Sequence, residues 1–381
     1  MNQSPMDRYG YYQIGDLKTY SVYQMMDHHH KDPQPHKWIY NDDFFSQYDW
    51  TQEPTESLKE LYKNRAKELR EQYDYVVLYY SGGYDSANML HAFLDNGIYP
   101  DEIVTFYSRH DTVSHQYHER AQFTEKKLEK IEKQYPQIKI RRIDYADIIC
   151  SWPQIVKDAN LNLDPIHLFG PRMSVNRLAL DVMYEHIDDW KQLLKDKKTI
   201  CTLQGVDSVQ PSHISRENKW VHNFFDVHVC GHMTPMRQMT NKSNRDTLEF
   251  FYWAPTDAAA KILIKQGHLA KKFLINKKIF TNKIDRIVKK FNVFGYEPFK
   301  KLIYPRIFED DEQFYNKKEL STFWGNRDQW FFNSDLPGSK EHWETIYLPL
   351  FRQDRSHWKT WFHNNDINQG FKKIKSMDYI I

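Results

Sequence analysis

No apolar run in this chain approaches the roughly 18 residues that a membrane-crossing helix needs, and mean hydropathy is −0.79. A membrane is therefore not expected as a partner. The opening Met1-Asn2-Gln3-Ser4-Pro5 has neither a charged segment nor an apolar one behind it, which predicts no secretion signal. Cysteine is scarce: Cys150, Cys201 and Cys230 are far apart, odd in number and form no Cys-x-x-Cys. That argues against a zinc site or disulfide framework and fits a reducing, cytoplasmic setting. Net charge is only +2 over 381 residues, so any electrostatic surface must come from uneven distribution. Internal repeats and low-complexity linkers are also missing.

Charge is indeed uneven. Residues 1–60 carry ten acidic and five basic side chains, whereas residues 271–306 carry eleven Lys/Arg against Asp285 and Glu297. The basic stretch interleaves with Phe273, Phe280, Phe291, Phe294, Tyr296 and Phe299. Such a segment can neutralise phosphates and stack on bases. The spacing of Ile284, Ile287, Val288 and Phe291 equally fits a helix with a lysine-rich solvated face. Nucleic acid at 271–306 is thus one partner expectation.

The informative motif is Ser81-Gly82-Gly83-Tyr84-Asp85-Ser86. The apolar run Val76–Tyr80 predicts a strand leading in, Ala87–Leu94 predicts a helix leading out to Asn96-Gly97, and Glu102–Tyr107 predicts a second strand. Strand, glycine-rich turn, helix, strand is a phosphate-cradling layout. Gly82 and Gly83 let the backbone approach a bulky anion, and the first helical N–H groups complete a nest for it. The hydroxyls of Ser81 and Ser86 can donate to the same oxygens. Asp85 would repel phosphate unless Mg²⁺ lies between them. The Gly-Lys-Ser/Thr ending of a Walker loop is missing, and so is Gly-x-Gly-x-x-Gly.

Further strands are predicted at Ile138–Ile143 and Thr199–Leu203, with helices from Pro54 to about Glu71, over 115–134, over 172–195 with Leu178, Val182, Ile187 and Leu194 inward, and over Ala258–Leu274. Alternating strands and helices give an α/β class: a parallel sheet with helices on both faces, followed by a mainly helical C-terminal region. Three segments follow: an N-terminal extension (1–54) that wraps the main domain, an α/β domain (55–245), and a basic, aromatic-rich region (246–381). His28-His29-His30 reads as a solvated loop.

The hexapeptide after a first strand resembles the PP-loop of the ATP pyrophosphatases, the AMP-forming branch of the adenine nucleotide α-hydrolase-like fold. The group includes asparagine synthetase, GMP synthetase, argininosuccinate synthetase and tRNA-lysidine synthetase. The resemblance is closest over about residues 74–108 and extends towards 210. It implies binding of ATP and Mg²⁺ by Ser81, Gly82, Gly83, Tyr84, Asp85 and Ser86, adenine contact near Tyr107 and Ser108, and a Gly205-Val206-Asp207 turn whose Asp207 shares the metal with Asp85. The catalytic set implied is Ser81, Asp85, Ser86 and Asp207. Arg172, Arg177, Arg216 and Lys219 are candidates for pyrophosphate or a substrate carboxylate. The implied reaction is adenylation of a substrate oxygen with release of pyrophosphate, then nitrogen transfer, as in the asparagine-synthetase-like branch. Two departures bear on this. Asn2 stands where glutamine-dependent members carry a nucleophilic cysteine, and Gln204–Ser208 replaces their Gly-Glu-Gly-Ala-Asp-Glu. Val229-Cys230-Gly231-His232 leaves open a sulfur-transfer or PAPS-reductase-like enzyme using Cys230. A non-catalytic nucleotide- or nucleic-acid-binding module is the third reading.

Overall fold

The computed structural model describes, with short breaks, residues 9–111, 120–150, 186–205, 211–226, 245–249, 256–276, 301–306, 334–342 and 352–381. At its centre is a five-stranded sheet. Its strands in chain order are β4 (Tyr75–Tyr79), β5 (Glu102–Tyr107), β6 (Lys139–Asp144), β7 (Ile200–Gln204) and β10 (Arg245–Glu249). All pairings are parallel, in the spatial order β10-β7-β4-β5-β6. The chain therefore winds one way from β4 through β5 and β6, then returns to lay β7 and β10 on the other side. Between β4 and β7 the order reverses, which opens a crevice at the carboxyl ends of those two strands.

Side-chain alternation explains why both faces are covered. On β4 and just beyond its end, Val76, Leu78 and Tyr80 enter one core with Ile103, Cys201 and Leu203. Val77 and Tyr79 enter a second with Val104, Ile187, Trp190 and Ile200. Period-two strands buried on both faces must be near-continuously apolar, and Tyr75-Val76-Val77-Leu78-Tyr79 is. The first face is covered by α3 (Leu58–Gln72) and α4 (Tyr84–Leu94), the second by α7 (Asp188–Lys195). Helix α3 starts at Leu58, four residues later than the expected Pro54, because Ser57 and Glu60 form a reciprocal capping box there. Helix α8 (Asp257–Asn276) packs along α3.

Two helices depart from expectation. Residues 120–134 are not one regular helix: a π-helical turn, Arg120–Thr124, precedes α5 (Glu125–Gln134). Thr124 is buried at this junction and donates its hydroxyl to the Ser81 carbonyl at 3.1 Å. Of the predicted helix 172–195, residues 172–185 lie outside the described residues; Ile187 is extended and caps a helix that begins only at Asp188, and Ile187 and Trp190 both reach the second core. Leu178 and Val182 lie outside the described residues.

Residues 1–54 contribute a three-stranded antiparallel sheet, order β2-β1-β3, from β1 (Tyr11–Ile14), β2 (Leu17–Thr19) and β3 (His36–Ile39), with α1 (Val22–Lys31) against it. Its core is continuous with that of the main sheet. The histidine tract is not a loop: His28, His29 and His30 form the last turn of α1. A third sheet, order β11-β9-β8, joins β8 (Ser212–Ile214), β9 (Lys219–His222) and β11 (Tyr379–Ile380). Among the described residues no helix is long and apolar enough to cross a membrane.

His222 on β9 gives a stability prediction. It is fully buried and stacked on Trp50 with ring centroids 5.2 Å apart. Neither ring nitrogen has a hydrogen-bond partner among the described residues. Burial pushes its pKa down to about 3. The unfolded chain therefore takes up a proton near pH 6.5 that the folded chain refuses. The stabilisation is complete above that pH and is lost as pH falls towards 3. Between pH 7 and 5 this residue should cost about 2 kcal/mol of stability. Denaturation midpoints of the wild type and His222→Leu at both pH values check it. An equal acid sensitivity in the variant would refute it.

Candidate functional site

The Ser81 loop stands at the carboxyl end of β4, on the crevice between β4 and β7. Gly82 has φ +83°, a backbone conformation that side chains rarely adopt. A Cβ there would also lie 2.1 Å from the Thr124 hydroxyl oxygen. Gly83 is the N-cap of α4 and supplies no capping side chain. The first-turn N–H groups thus meet the crevice without the side-chain acceptor that usually caps a helix. Ser81 and Ser86 place their hydroxyl oxygens 3.2 Å apart. Ser86 donates to the Gly83 carbonyl at 3.0 Å, and the Gly83 N–H points back at Ser81 Oγ at 3.4 Å. Ser81 is exposed, Gly82 and Ser86 are buried, and Gly83, Tyr84 and Asp85 are half-buried.

Gly205 closes the opposite wall. It follows β7, and a Cβ there would sit 2.6 Å from the Asp85 carbonyl oxygen and 2.7 Å from its carbon. The end of β7 therefore presses on the first turn of α4, and only glycine lets it do so. Tyr107 and Ser108 follow on the next strand, β5. The Arg120 guanidinium lies 4.0 Å over the Tyr107 ring, a cation–π contact. Ser108 is buried and accepts from the His110 N–H at 3.1 Å. The structure thus brings Ser81–Ser86, Tyr107, Ser108 and Gly205 to one rim.

Asp85 has a partner that no sequence pattern announced. The Tyr304 hydroxyl donates to Asp85 Oδ1. Tyr304 is fully buried, and its neighbour Ile303 offers its carbonyl to the Tyr62 hydroxyl at 2.7 Å. Tyr62 in turn accepts from Gln266 Nε2 at 2.8 Å. Arg306 pairs with Asp95 at the far end of α4, 2.7 Å away. Segment 301–306 is therefore tied along α4. Thr124 and Tyr304 were missed because their partners are 43 and 219 residues away in sequence.

Other expected site residues fall elsewhere. Arg216 and Lys219 are exposed at the hairpin between β8 and β9, where Lys219 pairs with Glu217 at 3.0 Å. Cys201 is wholly buried in β7. Asp207, Arg172, Arg177 and Cys230 lie outside the described residues, as does 277–300 of the basic stretch. Of the basic stretch 271–306, Lys271 donates to the Ile381 carbonyl, Lys272 pairs with Glu53, and Arg306 pairs with Asp95.

The donor set fits a polyphosphate with a divalent cation: helix N–H groups without a side-chain cap, two hydroxyls and one carboxylate in the first turn. A carboxylate that accepts a phenol proton on one oxygen is oriented as a metal ligand commonly is. Comparison with protein-family models and with curated proteins gives no match for this chain.

Proposed function

We propose that the chain is an AMP-forming, ATP-dependent enzyme that adenylates an acceptor oxygen and then transfers nitrogen to the activated carbon. The observation that carries this reading is the helix N-terminus of α4, without a side-chain cap, at the sheet's reversal point with Asp85 in its first turn. The N–H groups of a helix N-terminus favour a phosphate chain. A carboxylate among them would otherwise oppose the anion, so Asp85 is assigned to hold Mg²⁺, as the motif also implies for Asp207. Bound Mg²⁺ supplies charge neutralisation on the β- and γ-phosphates.

The chain's own part is positioning and charge stabilisation. The N–H groups of Gly83 and Tyr84, with the hydroxyls of Ser81 and Ser86, hold the pyrophosphate portion. An acceptor oxygen attacks the α-phosphorus, the bond to the β-phosphate oxygen breaks, and pyrophosphate leaves carrying the bond's electron pair. An amine or ammonia then attacks the activated carbon, loses a proton, and AMP departs. Tyr107 and Ser108 flank the rim where the adenosine end would lie.

The reaction class has a simple test. Nucleotides are separated by chromatography after turnover with a panel of carboxylate and amide acceptors plus ammonia. AMP and pyrophosphate are the expected products. ADP and phosphate as the main products would overturn the reading.

Tyr304 adds a second expectation. Tyr304→Phe removes one proton donor and leaves the ring. If that donor orients Asp85, the Mg²⁺ concentration giving half-maximal ATP binding should rise about tenfold. Calorimetric titrations of ATP at graded Mg²⁺ measure it. An unchanged Mg²⁺ requirement would make Tyr304 a packing residue only.

A further inference from the structure

The His28-His29-His30 tract has no part in the site described above, yet its His29 lines a basin of about 500 Å³. Four pieces of chain meet there: the end of α1, the start of β3, the 3₁₀ helix Gln353–Trp361 and the strand-like run 371–375. The lining includes His29, His36, Trp361, Lys372, Lys373 and Lys375, with Ile374 as an apolar floor, and among the described residues no Asp or Glu. A concave surface of this size with an indole, two imidazoles and three ammonium groups matches one chemistry: a planar ring bearing a phosphate.

The basin is held in shape by its supports. The Lys372 N–H donates to the Trp361 carbonyl at 2.8 Å, and its ammonium donates to the Thr360 carbonyl. Phe362 and Phe371, the chain neighbours of Trp361 and Lys372, pack against each other with ring centroids 4.3 Å apart. Asp226 grips Ile374 twice, accepting from its N–H at 2.9 Å and donating its own N–H to the Ile374 carbonyl at 3.0 Å. Tyr12 from β1 donates to the same Asp226 carboxylate at 2.9 Å. His29 Nδ1 meets the Gln34 carbonyl at 3.1 Å, which makes that nitrogen the protonated one. The Trp361 ring stands edge-to-face with His29 and His36, at 5.4 and 4.8 Å. Lys373 lies 5.1 Å over the Phe225 ring, and Lys375 pairs with Asp378 at 3.0 Å. An ammonium has three donors, so each lysine retains capacity for a phosphate oxygen.

We propose that this basin is a second ligand site, separate from the Ser81 loop, for a nucleoside monophosphate: phosphate on Lys372 and Lys373, base against Trp361. A free phosphate would need only the ammonium groups, and a nucleoside only the rings. The test uses the full chain and three probes, AMP, adenosine and inorganic phosphate, each titrated by calorimetry into the wild type and into a Lys372→Gln/Lys373→Gln variant. Both lysines are exposed, and a thermal melt confirms that the variant is folded. The expected result is AMP binding at least tenfold tighter than either fragment, weakened at least tenfold in the variant, with Mg²⁺-dependent ATP binding unchanged. Absent AMP binding overturns the proposal. So does AMP binding that the variant leaves intact, since the ligand would then sit elsewhere, and so does phosphate binding as tight as AMP. Because the basin is tested with AMP and the loop with Mg²⁺–ATP, failure of one leaves the other standing.

Discussion

Asp85→Asn is expected to abolish the Mg²⁺ dependence of ATP binding and to lower turnover about a thousandfold, the several kcal/mol that a metal's charge supplies to such a reaction. The substitution keeps the size and shape of the side chain. It still accepts from Tyr304 at its amide oxygen, so segment 301–306 should stay docked on α4. What disappears is the negative charge in the first turn of the helix. A carboxylate in the first turn interacts favourably with the helix dipole, so a small loss of thermal stability is expected beside the large functional loss. Calorimetric ATP titrations with and without Mg²⁺, for both proteins, read the effect. A variant with the wild-type Mg²⁺ response would reduce Asp85 to a turn residue.

Gly205→Ala is the second change with a large expected effect. The new methyl would meet Asp85 carbonyl oxygen and carbon at 2.6 and 2.7 Å. Those are backbone atoms, so the strain cannot be relieved by turning a side chain. Either the end of β7 or the first turn of α4 must move, and both line the crevice. Overpacking of this kind costs about 1–3 kcal/mol, and the displaced N–H groups should lower ATP affinity at least tenfold. Gly267→Ala is the matching control. A Cβ there lies 3.4 Å from Ile381 Cδ1, ordinary contact with a side chain, in the interior of α8. Exchanging a helical glycine for alanine should be neutral or stabilising by up to about 1 kcal/mol. Melting curves and ATP titrations on both variants separate the two cases. Equal behaviour would show that Gly205 does not set the crevice.

Strands β4 and β7 were legible because they are buried on both faces and read as short apolar runs, and β6, which is only half-buried, was legible from its alternation. Strands β4, β5, β6 and β7 fall within one residue of the expected bounds. Strand β10 was not legible: Arg245-Asp246-Thr247-Leu248-Glu249 has one aliphatic residue, and its place is set by backbone pairing to β7. The small sheets at both ends of the chain were missed for a related reason. Their cores are aromatic and long-range, as in Tyr23 against Trp358 and Phe371, or Trp50 against Tyr379. No local period records such contacts. The histidine tract was misread because polarity alone predicted a loop, whereas Val22, Tyr23, Met25 and Met26 give α1 a buried face ahead of it.

At the candidate site, the loop was legible and its surroundings were not. Ser81–Ser86 carries its chemistry in six consecutive residues. Gly205 was placed on the right rim by motif position, but the reason it must be glycine, its contact with the Asp85 backbone, is a tertiary fact. Thr124 and Tyr304 touch the loop from remote segments, and nothing beside either residue in sequence marks it.

The claim that the Ser81 loop is a nucleotide cradle is tested most directly by a crystal structure with Mg²⁺ and an ATP analogue whose α,β-bridging oxygen is a methylene. The account predicts phosphate oxygens on the N–H groups of Gly83 and Tyr84, hydroxyl contacts from Ser81 and Ser86, and Mg²⁺ bridging the β- and γ-phosphates to Asp85. An analogue bound elsewhere, or a metal ion that does not touch Asp85, would contradict it.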